Sequence, residues 1–201
     1  MSSERPAPLI VLAGPSGAGK TTIVDRLLAT TKLPIRRAIT ATSRAPRPNE
    51  VPGVHYYFWT PEEFERRIAA GEMLEHAYVH GRHHYGTPLA EVQAARDSGT
   101  AVILVIDVQG AEQVRKISPE GLVTIFLQAP AFDDLADRLR KRGESEGEIA
   151  RRLETAVGES ARTGEFQHTL VNADADVAAQ ELERIIESQF SCKGSGSCSS
   201  N

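Results

Sequence analysis

The stretch Gly14-Pro15-Ser16-Gly17-Ala18-Gly19-Lys20-Thr21-Thr22 constrains this chain more than any other. It spells G-x-x-x-x-G-K-T. Ahead of it lies Leu9-Ile10-Val11-Leu12-Ala13, a short apolar run that reads as a buried strand. Behind it, Thr22 to Thr30 carries Ile23, Val24, Leu27 and Leu28 at helical spacing. Strand, glycine loop and helix in that order are the context a phosphate-binding loop needs. Phosphate oxygens demand many donors at close range. Gly14, Gly17 and Gly19 let the backbone curl with no Cβ in the way, and the first turn of the following helix adds unpaired N–H groups and the positive end of a dipole. Lys20 supplies a mobile charge for the outer phosphates, and the Thr21 hydroxyl suits Mg²⁺. The loop implies a nucleoside triphosphate and leaves the acceptor open.

The remaining composition narrows the class. A chain of 201 residues, 40% of them apolar, supports one α/β domain with insertions. A formal net charge of −4 gives no electrostatic case for nucleic acid. No apolar run approaches the roughly 18 residues of a membrane helix, and the polar start, Met1 to Pro6, lacks a signal-peptide core. Cys192 and Cys198 both fall in a Ser/Gly-rich tail, Ser191 to Asn201, which reads as disordered. Such a pair is no disulfide framework, and a reducing cytoplasm is expected.

In chain order, Ile35 to Ala41 reads as a second strand. A loop stiffened by Pro46, Pro48 and Pro52 follows, carrying Arg44 and Arg47. Val54 to Trp59 is an aromatic strand, and Thr60-Pro61-Glu62-Glu63 opens a helix with a capping box. Met73 to Val79 reads as a strand with Glu75, and Gly81 to Thr87 as a turn and short strand with Tyr85. A helix spans Pro88 to Ser98. Ala101 to Ile106 is the strongest buried-strand signal, with Asp107 at its carboxyl end, where parallel sheets place ligands. Ala111 to Lys116 is a short helix and Leu122 to Leu127 a further strand. Phe132 to Arg162 forms two arginine-rich helices broken at Gly143. A short strand, Leu170 to Asn172, and a helix, Val177 to Phe190, end the ordered chain.

Taken together, G-P-S-G-A-G-K-T (Gly14 to Thr21), T-S-R-A-P-R (Thr42 to Arg47), E-x-x-G-x-x-Y (Glu50 to Tyr56), H-Y-G-T (His84 to Thr87), I-D-V-Q-G-A (Ile106 to Ala111), R-L-x-x-R-G (Arg138 to Gly143) and V-N (Val171-Asn172) resemble guanylate kinase. The resemblance runs from about Leu9 to Phe190. It implies an α/β fold: a P-loop NTPase-type parallel sheet flanked by helices, with an inserted mixed α+β GMP-binding subdomain and a helical lid. The implied division is a domain over 9–190, with its core at 9–41, 89–130 and 164–190. The GMP-binding subdomain is 42–88, the lid 131–163, and the termini, 1–8 and 191–201, flexible. The implied reaction is ATP-dependent phosphorylation of GMP and dGMP in the cytoplasm, by a monomer or small homo-oligomer.

The resemblance also implies residue roles. Gly14 to Thr22 and Asn172 would bind ATP, with Thr21 on Mg²⁺. Arg44, Arg47, Tyr56 and Tyr85 would hold the GMP phosphate, since guanidinium forks and phenolic hydroxyls suit a phosphate dianion. Glu75 and Asp107 would read guanine, with Thr87 and Thr40 beside them. Lys20, Arg44, Arg138, Arg142 and Arg152 would serve catalysis by offsetting charge on the transferring group. Val105 departs from the family pattern, which has an acidic residue there. Two other readings remain: a phosphotransferase for another acceptor on the same fold, and a non-enzymatic phosphopeptide-binding module. The intact Lys20-Thr21 argues against the second.

Overall fold

The computed structural model describes residues 6–79, 82–117, 119–141 and 143–191. Arg142 and the Cys192/Cys198 tail lie outside the described residues. The elements in order are β1 (Leu9–Ala13), α1 (Lys20–Thr30), β2 (Ile35–Arg37), β3 (Thr40–Thr42), β4 (Tyr56–Phe58), α2 (Pro61–Ala69), β5 (Met73–Val79), β6 (His83–Pro88), α3 (Leu89–Asp97), β7 (Ala101–Val105), α4 (Val108–Ile117), β8 (Leu122–Gln128), α5 (Phe132–Lys141), α6 (Glu146–Ser160), a 3₁₀ turn (Thr163–Glu165), β9 (His168–Val171) and α7 (Ala175–Ser191).

Two sheets carry the fold. A five-stranded sheet, β2-β7-β1-β8-β9, is parallel throughout. Its central strand β1 is buried along its whole length, as the unbroken apolar run requires of a strand covered on both faces. One face packs on α1 and α7 through Ile23, Leu27, Leu182 and Ile186; the other packs on α3 and α4 through Val92, Ala111 and Val114. A second, four-stranded sheet has the order β4-β3-β6-β5. This architecture is the α/β parallel sheet flanked by helices that the sequence implies.

The expected strand Ile35 to Ala41 is two strands. Arg37 still pairs beside Ile103 in the parallel sheet, and the Ala38 N–H reaches the Ile103 carbonyl at 2.9 Å. At Ile39 the chain changes partners. The Ile39 N–H goes to the Glu91 carboxylate at 3.3 Å, and Thr40 opens the second sheet beside Tyr56. Within the segment 1–8, expected to be flexible, Ala7 differs from expectation. Ala7 is buried, its N–H bonds the Arg96 carbonyl at 3.1 Å, and Arg96 Nε returns a bond to the Ala7 carbonyl at 2.7 Å.

Capping chemistry sets several helix ends. The Thr60 hydroxyl accepts from the Glu63 N–H at 3.2 Å. Half of the expected capping box is therefore present, while the Glu63 carboxylate turns instead to Arg66 and Arg67. The reciprocal box sits at Ser145 and Glu148, opening α6. Helix α4 starts at Val108, three residues earlier than its apolar pattern suggests, because the Asp107 carboxylate accepts from the Gln109 and Gly110 N–H groups at 2.9 and 2.8 Å.

The second sheet is held to the core through its edge strand β5. Gln113 on α4 brackets His76: its Oε1 accepts from the His76 N–H at 3.0 Å and its Nε2 donates to the His76 carbonyl at 2.8 Å. A β-bulge between Met73 and Glu75 sends three successive side chains to three places. Met73 joins Phe64 and Ala41 under α2, Leu74 enters the main core beside Val108 and Ala111, and Glu75 turns to the far face of its sheet.

Phe64 anchors α2 on the second sheet. It is fully buried, with ring centroids 5.4 Å from Trp59 and 5.1 Å from His84. Phe64→Ala is expected to lower unfolding free energy by about 3–5 kcal/mol in urea denaturation. A loss under about 1 kcal/mol would show that this cluster does not support the fold.

Candidate functional site

Three groups of side chains meet at the carboxyl ends of the parallel strands, where β1 yields to the glycine loop, β7 to Asp107 and β9 to Asn172. The loop itself could not be built from other residues. Gly14 has φ 142°, and a Cβ there would lie 2.0 Å from the Leu127 carbonyl oxygen. Gly19 has φ 97°, and its Cβ would lie 2.3 Å from Asn172 Nδ2. Helix α1 follows with no side-chain cap and no acidic residue in its first turn, unlike α2, α5, α6 and α7. Its positive end is thus left uncompensated by the protein, which suits an anion. Thr21 and Thr22 lie exposed on that first turn.

The loop is braced from behind. Lys20 Nζ donates to the carbonyls of Gly14 and Pro15, the second at 3.0 Å. Arg138 on α5 donates to the Ala18 carbonyl at 3.1 Å and to the Asn172 carbonyl at 2.8 Å. Asn172 is buried, and its amide donates to the Ala18 carbonyl at 2.6 Å. Arg152 on α6 reaches the Ser16 hydroxyl at 2.6 Å and pairs with Glu144 at 2.7 Å. So Arg138, Arg152 and Asn172 all meet the loop, and Arg138 and Asn172 do so through its carbonyls. Beside them opens a cleft of about 390 Å³, lined by Gly17, Gly19, Thr22, Arg138, Lys141 and Asn172.

The second sheet brings the next group together through its register. Opposite residues share a face and neighbours along a strand alternate. Thr40 pairs with Tyr56, Thr42 with Phe58 and with Tyr85, Ala77 with Tyr85, and Glu75 with Thr87. One face therefore presents Thr40, Tyr56, Tyr85, Glu75 and Thr87. The opposite face carries Ala41, Tyr57 and His84, and α2 covers it through Phe64. The Tyr56 and Tyr85 rings meet edge to face at 6.4 Å. The Arg44 guanidinium lies 5.4 Å over the Tyr56 ring, and its Nε donates to the Tyr85 hydroxyl at 3.3 Å. The Arg47 side chain is exposed at the rim.

Glu75 is the buried acid of the site. Its side chain is buried, and the Thr87 hydroxyl donates to Oε1 at 2.7 Å. Burial pushes its pKa up to about 7; the Thr87 hydrogen bonds oppose that rise and the nearby Asp107 charge adds to it. The helix α4 backbone closes over the other oxygen: a Cβ on Gly110 would lie 3.1 Å from Glu75 Oε2. That close approach accounts for the glycine in the Gln109-Gly110 pair. Asp107 itself is exposed and caps α4 through Oδ1.

Two acids escaped sequence reasoning. Glu50 forks onto Arg44, with both oxygens 2.8 Å from the Nη1 and Nη2 nitrogens. Its place in the Glu50-to-Tyr56 motif was visible, but not its partner. Glu159 on α6 is half-buried, and burial raises its pKa; Lys20 counters that rise and Asp107 adds to it, so the three charges share one site. Nothing in the local pattern of a charged helix marks Glu159 out.

The family model described as guanylate kinase matches residues 6–189. A guanylate kinase of Tropheryma whipplei (strain Twist) is 46% identical over 175 residues, 87% of this chain and 90% of that one. A guanylate kinase of Corynebacterium glutamicum is 44% identical over 181 residues, 89% and 94% of the two chains. A crystal structure of guanylate kinase from Anaplasma phagocytophilum superimposes with a TM-score of 0.73 at 31% identity, covering 92% of this chain and 87% of that one.

The Glu75 environment has a thermodynamic signature. An unfolded glutamate loses its proton near 4.5 and the folded one near 7. The folded state therefore holds the extra proton between those values, and stability falls as pH rises across that window. Glu75→Gln cannot titrate. Its Tm relative to the unsubstituted protein is expected to climb between about pH 5 and about pH 8. A difference that stays flat with pH would contradict the burial assigned to this carboxyl.

Proposed function

The chain belongs to the guanylate kinase family and phosphorylates GMP with ATP; we propose the following assignment of residues to that reaction. The glycine loop, Lys20 and the first turn of α1 bind the ATP phosphates, and the cleft beside Asn172 receives the donor nucleoside. Arg44, Arg47, Tyr56 and Tyr85 hold the GMP phosphate. Glu75 and Asp107 accept from guanine N1–H and the N2 amine, with Thr87 and Thr40 beside them. One observation carries the acceptor half of this assignment: Thr40, Tyr56, Tyr85, Glu75 and Thr87 share the one face of the second sheet that α2 leaves uncovered.

The chemistry follows from charge. The acceptor oxygen already belongs to an ionised phosphate, so no general base is required. Lys20 and the arginines offset charge on the group in transfer while the two nucleotides are held in line. Arg138 and Arg152 support this by fixing the loop against which the phosphates lie. Arg142 belongs to the proposed catalytic set from sequence alone.

Mg²⁺ fits the donors present. Among the described residues no cluster of three or more His, Cys, Asp or Glu side chains is arranged to hold a metal by itself. A magnesium ion that travels with nucleotide phosphates and keeps its waters needs little more than the exposed Thr21 hydroxyl. When bound, it neutralises phosphate charge at the reacting end of ATP.

Water would compete for the phosphoryl group, so segments 42–88 and 131–163 are proposed to close over the core around both nucleotides. Among the described residues no helix is long and apolar enough to cross a membrane. We place the reaction in the cytoplasm, within purine nucleotide metabolism, with ATP, GMP and dGMP as partners and no nucleic acid, in a monomer or small homo-oligomer.

The assay is ADP release from ATP and Mg²⁺ with GMP, dGMP, AMP, CMP, UMP and dTMP offered separately. Turnover with GMP, weaker with dGMP and near zero with the rest, is expected; turnover with another acceptor alone would overturn the assignment of the guanine readers. Lys20→Met is expected to lower kcat by at least about a hundredfold while GMP still binds, as measured by calorimetry. Loss of GMP binding in that variant would mean that Lys20 serves the acceptor side.

Glu75→Gln is expected to weaken GMP binding by about 1–3 kcal/mol and to narrow the preference over AMP. Because the ionised carboxylate is the form that accepts from guanine, the unsubstituted enzyme should show a GMP KM that rises as pH falls below about 7. Phosphate monoesters titrate near 6 in both proteins, so the comparison cancels that contribution. Parallel KM profiles in the two proteins would remove Glu75 from the guanine site.

A further inference from the structure

Arg44 has five N–H groups, and the protein already engages most of them. Nε donates to the Tyr85 hydroxyl at 3.3 Å, Nη1 to the Ala45 carbonyl at 2.7 Å and to Glu50 Oε2 at 2.8 Å, and Nη2 to Glu50 Oε1 at 2.8 Å. A single N–H on Nη2 lies outside these bonds. The fork expected for a phosphate is thus already closed on a carboxylate.

The chain is built to keep it so. Pro48 and Asn49 form the middle of a turn that the Glu50 N–H closes on the Arg47 carbonyl at 3.1 Å, and Asn49 takes the left-handed conformation with φ 72°. The Arg47 N–H then donates to Glu50 Oε2 at 2.7 Å. The side chains of Arg44 and Glu50 are only 11% and 17% exposed. The Arg44 hydrogen bonds, with that of the Arg47 backbone second, hold the Glu50 carboxyl down to about 2, so the pair stays ionised at any working pH.

We propose that Glu50 is the positioning residue of the acceptor-phosphate site. It locks the Arg44 fork, so that Arg44 addresses the phosphate through one Nη2 N–H and through the Tyr85 hydroxyl, and the net positive charge comes from Arg47. This rests on the assignment of the Arg44 loop to the GMP phosphate. The Tyr85 oxygen accepts from a cation, which leaves its own proton for another acceptor and makes that proton a stronger donor. Exchange of Glu50 for the phosphate is disfavoured, because it would leave a mostly buried carboxylate unpaired beside a dianion.

The test is steady-state kinetics with Glu50→Gln, Tyr85→Phe, the double variant and Arg47→Ala. In Glu50→Gln the amide nitrogen faces a guanidinium donor, so the fork opens while the shape is kept. The GMP KM is expected to rise about tenfold or more, with the ATP KM unchanged and Tm preserved to within a few degrees. Tyr85→Phe is expected to raise the GMP KM on its own and to add little in the Glu50→Gln background, since both variants break one relay. Fully additive effects would overturn the relay, and a lowered GMP KM in Glu50→Gln would show that Glu50 competes with the phosphate instead. An unchanged GMP KM accompanied by a lowered Tm would reduce Glu50 to a structural role. If Glu50→Gln fails to fold, Tyr85→Phe alone decides: an unchanged GMP KM overturns the proposal and a raised one supports it. Arg47→Ala separates the two levels. If it raises the GMP KM while Glu50→Gln does not, only the positioning role fails; if neither changes it, the assignment of this loop to the acceptor phosphate fails.

Discussion

A loop that turns its N–H groups toward a ligand must turn its carbonyls into the protein, and buried carbonyls need donors. Much of the structure answers that requirement. Lys20 serves the carbonyls of Gly14 and Pro15, while Arg138 and Asn172 converge on that of Ala18. Asn172 stands at the end of β9 because its N–H is bonded to the Gln128 carbonyl at 2.8 Å. Arg138 sits on α5, which packs on the loop through Leu135 and Leu139. Residues separated by more than a hundred positions thus serve one short turn, and the glycine loop is as much a product of α5 and β9 as of its own glycines.

The proposed acceptor side depends on a different constraint, strand register. A one-residue slip between β5 and β6 would carry Glu75 from the face that holds Tyr85 and Thr87 to the face packed against α2. The bulge at Leu74 fixes that choice, since it lets Met73 and Leu74 fill two separate apolar clusters and leaves Glu75 for the polar face. The same placement buries the carboxyl, and that burial raises the Glu75 pKa against the opposing hydrogen bonds from Thr87. The proposed base selectivity and a thermodynamic burden on the folded state come from one burial.

The sequence was most readable where the determinants are local. Glycines, a lysine and an apolar run within a few residues of one another specify the loop between β1 and α1, and alternation of strands with helices specifies a parallel sheet. Reading failed where a partner lies elsewhere in the chain. Ile35 to Ala41 looks like one strand because every residue is strand-compatible; the break at Ile39 comes from Glu91. The apolar periodicity of α4 begins late, whereas the Asp107 cap sets its start at Val108. Asp107 stands at a strand end, and its carboxylate also caps a helix. Spacing gives Arg44 a guanidinium fork and says nothing about where a neighbouring carboxylate points.

Strand β5 ends the second sheet, so its outer main-chain groups could template pairing with another chain. Gln113 meets this with a side-chain amide that mimics a peptide group, satisfying both the N–H and the carbonyl of His76. The amide forms the two bonds a neighbouring strand would form, yet it belongs to a helix and cannot propagate a ladder. The sheet therefore ends on a cap that resists edge-to-edge aggregation without a proline or a charge in the strand at that point.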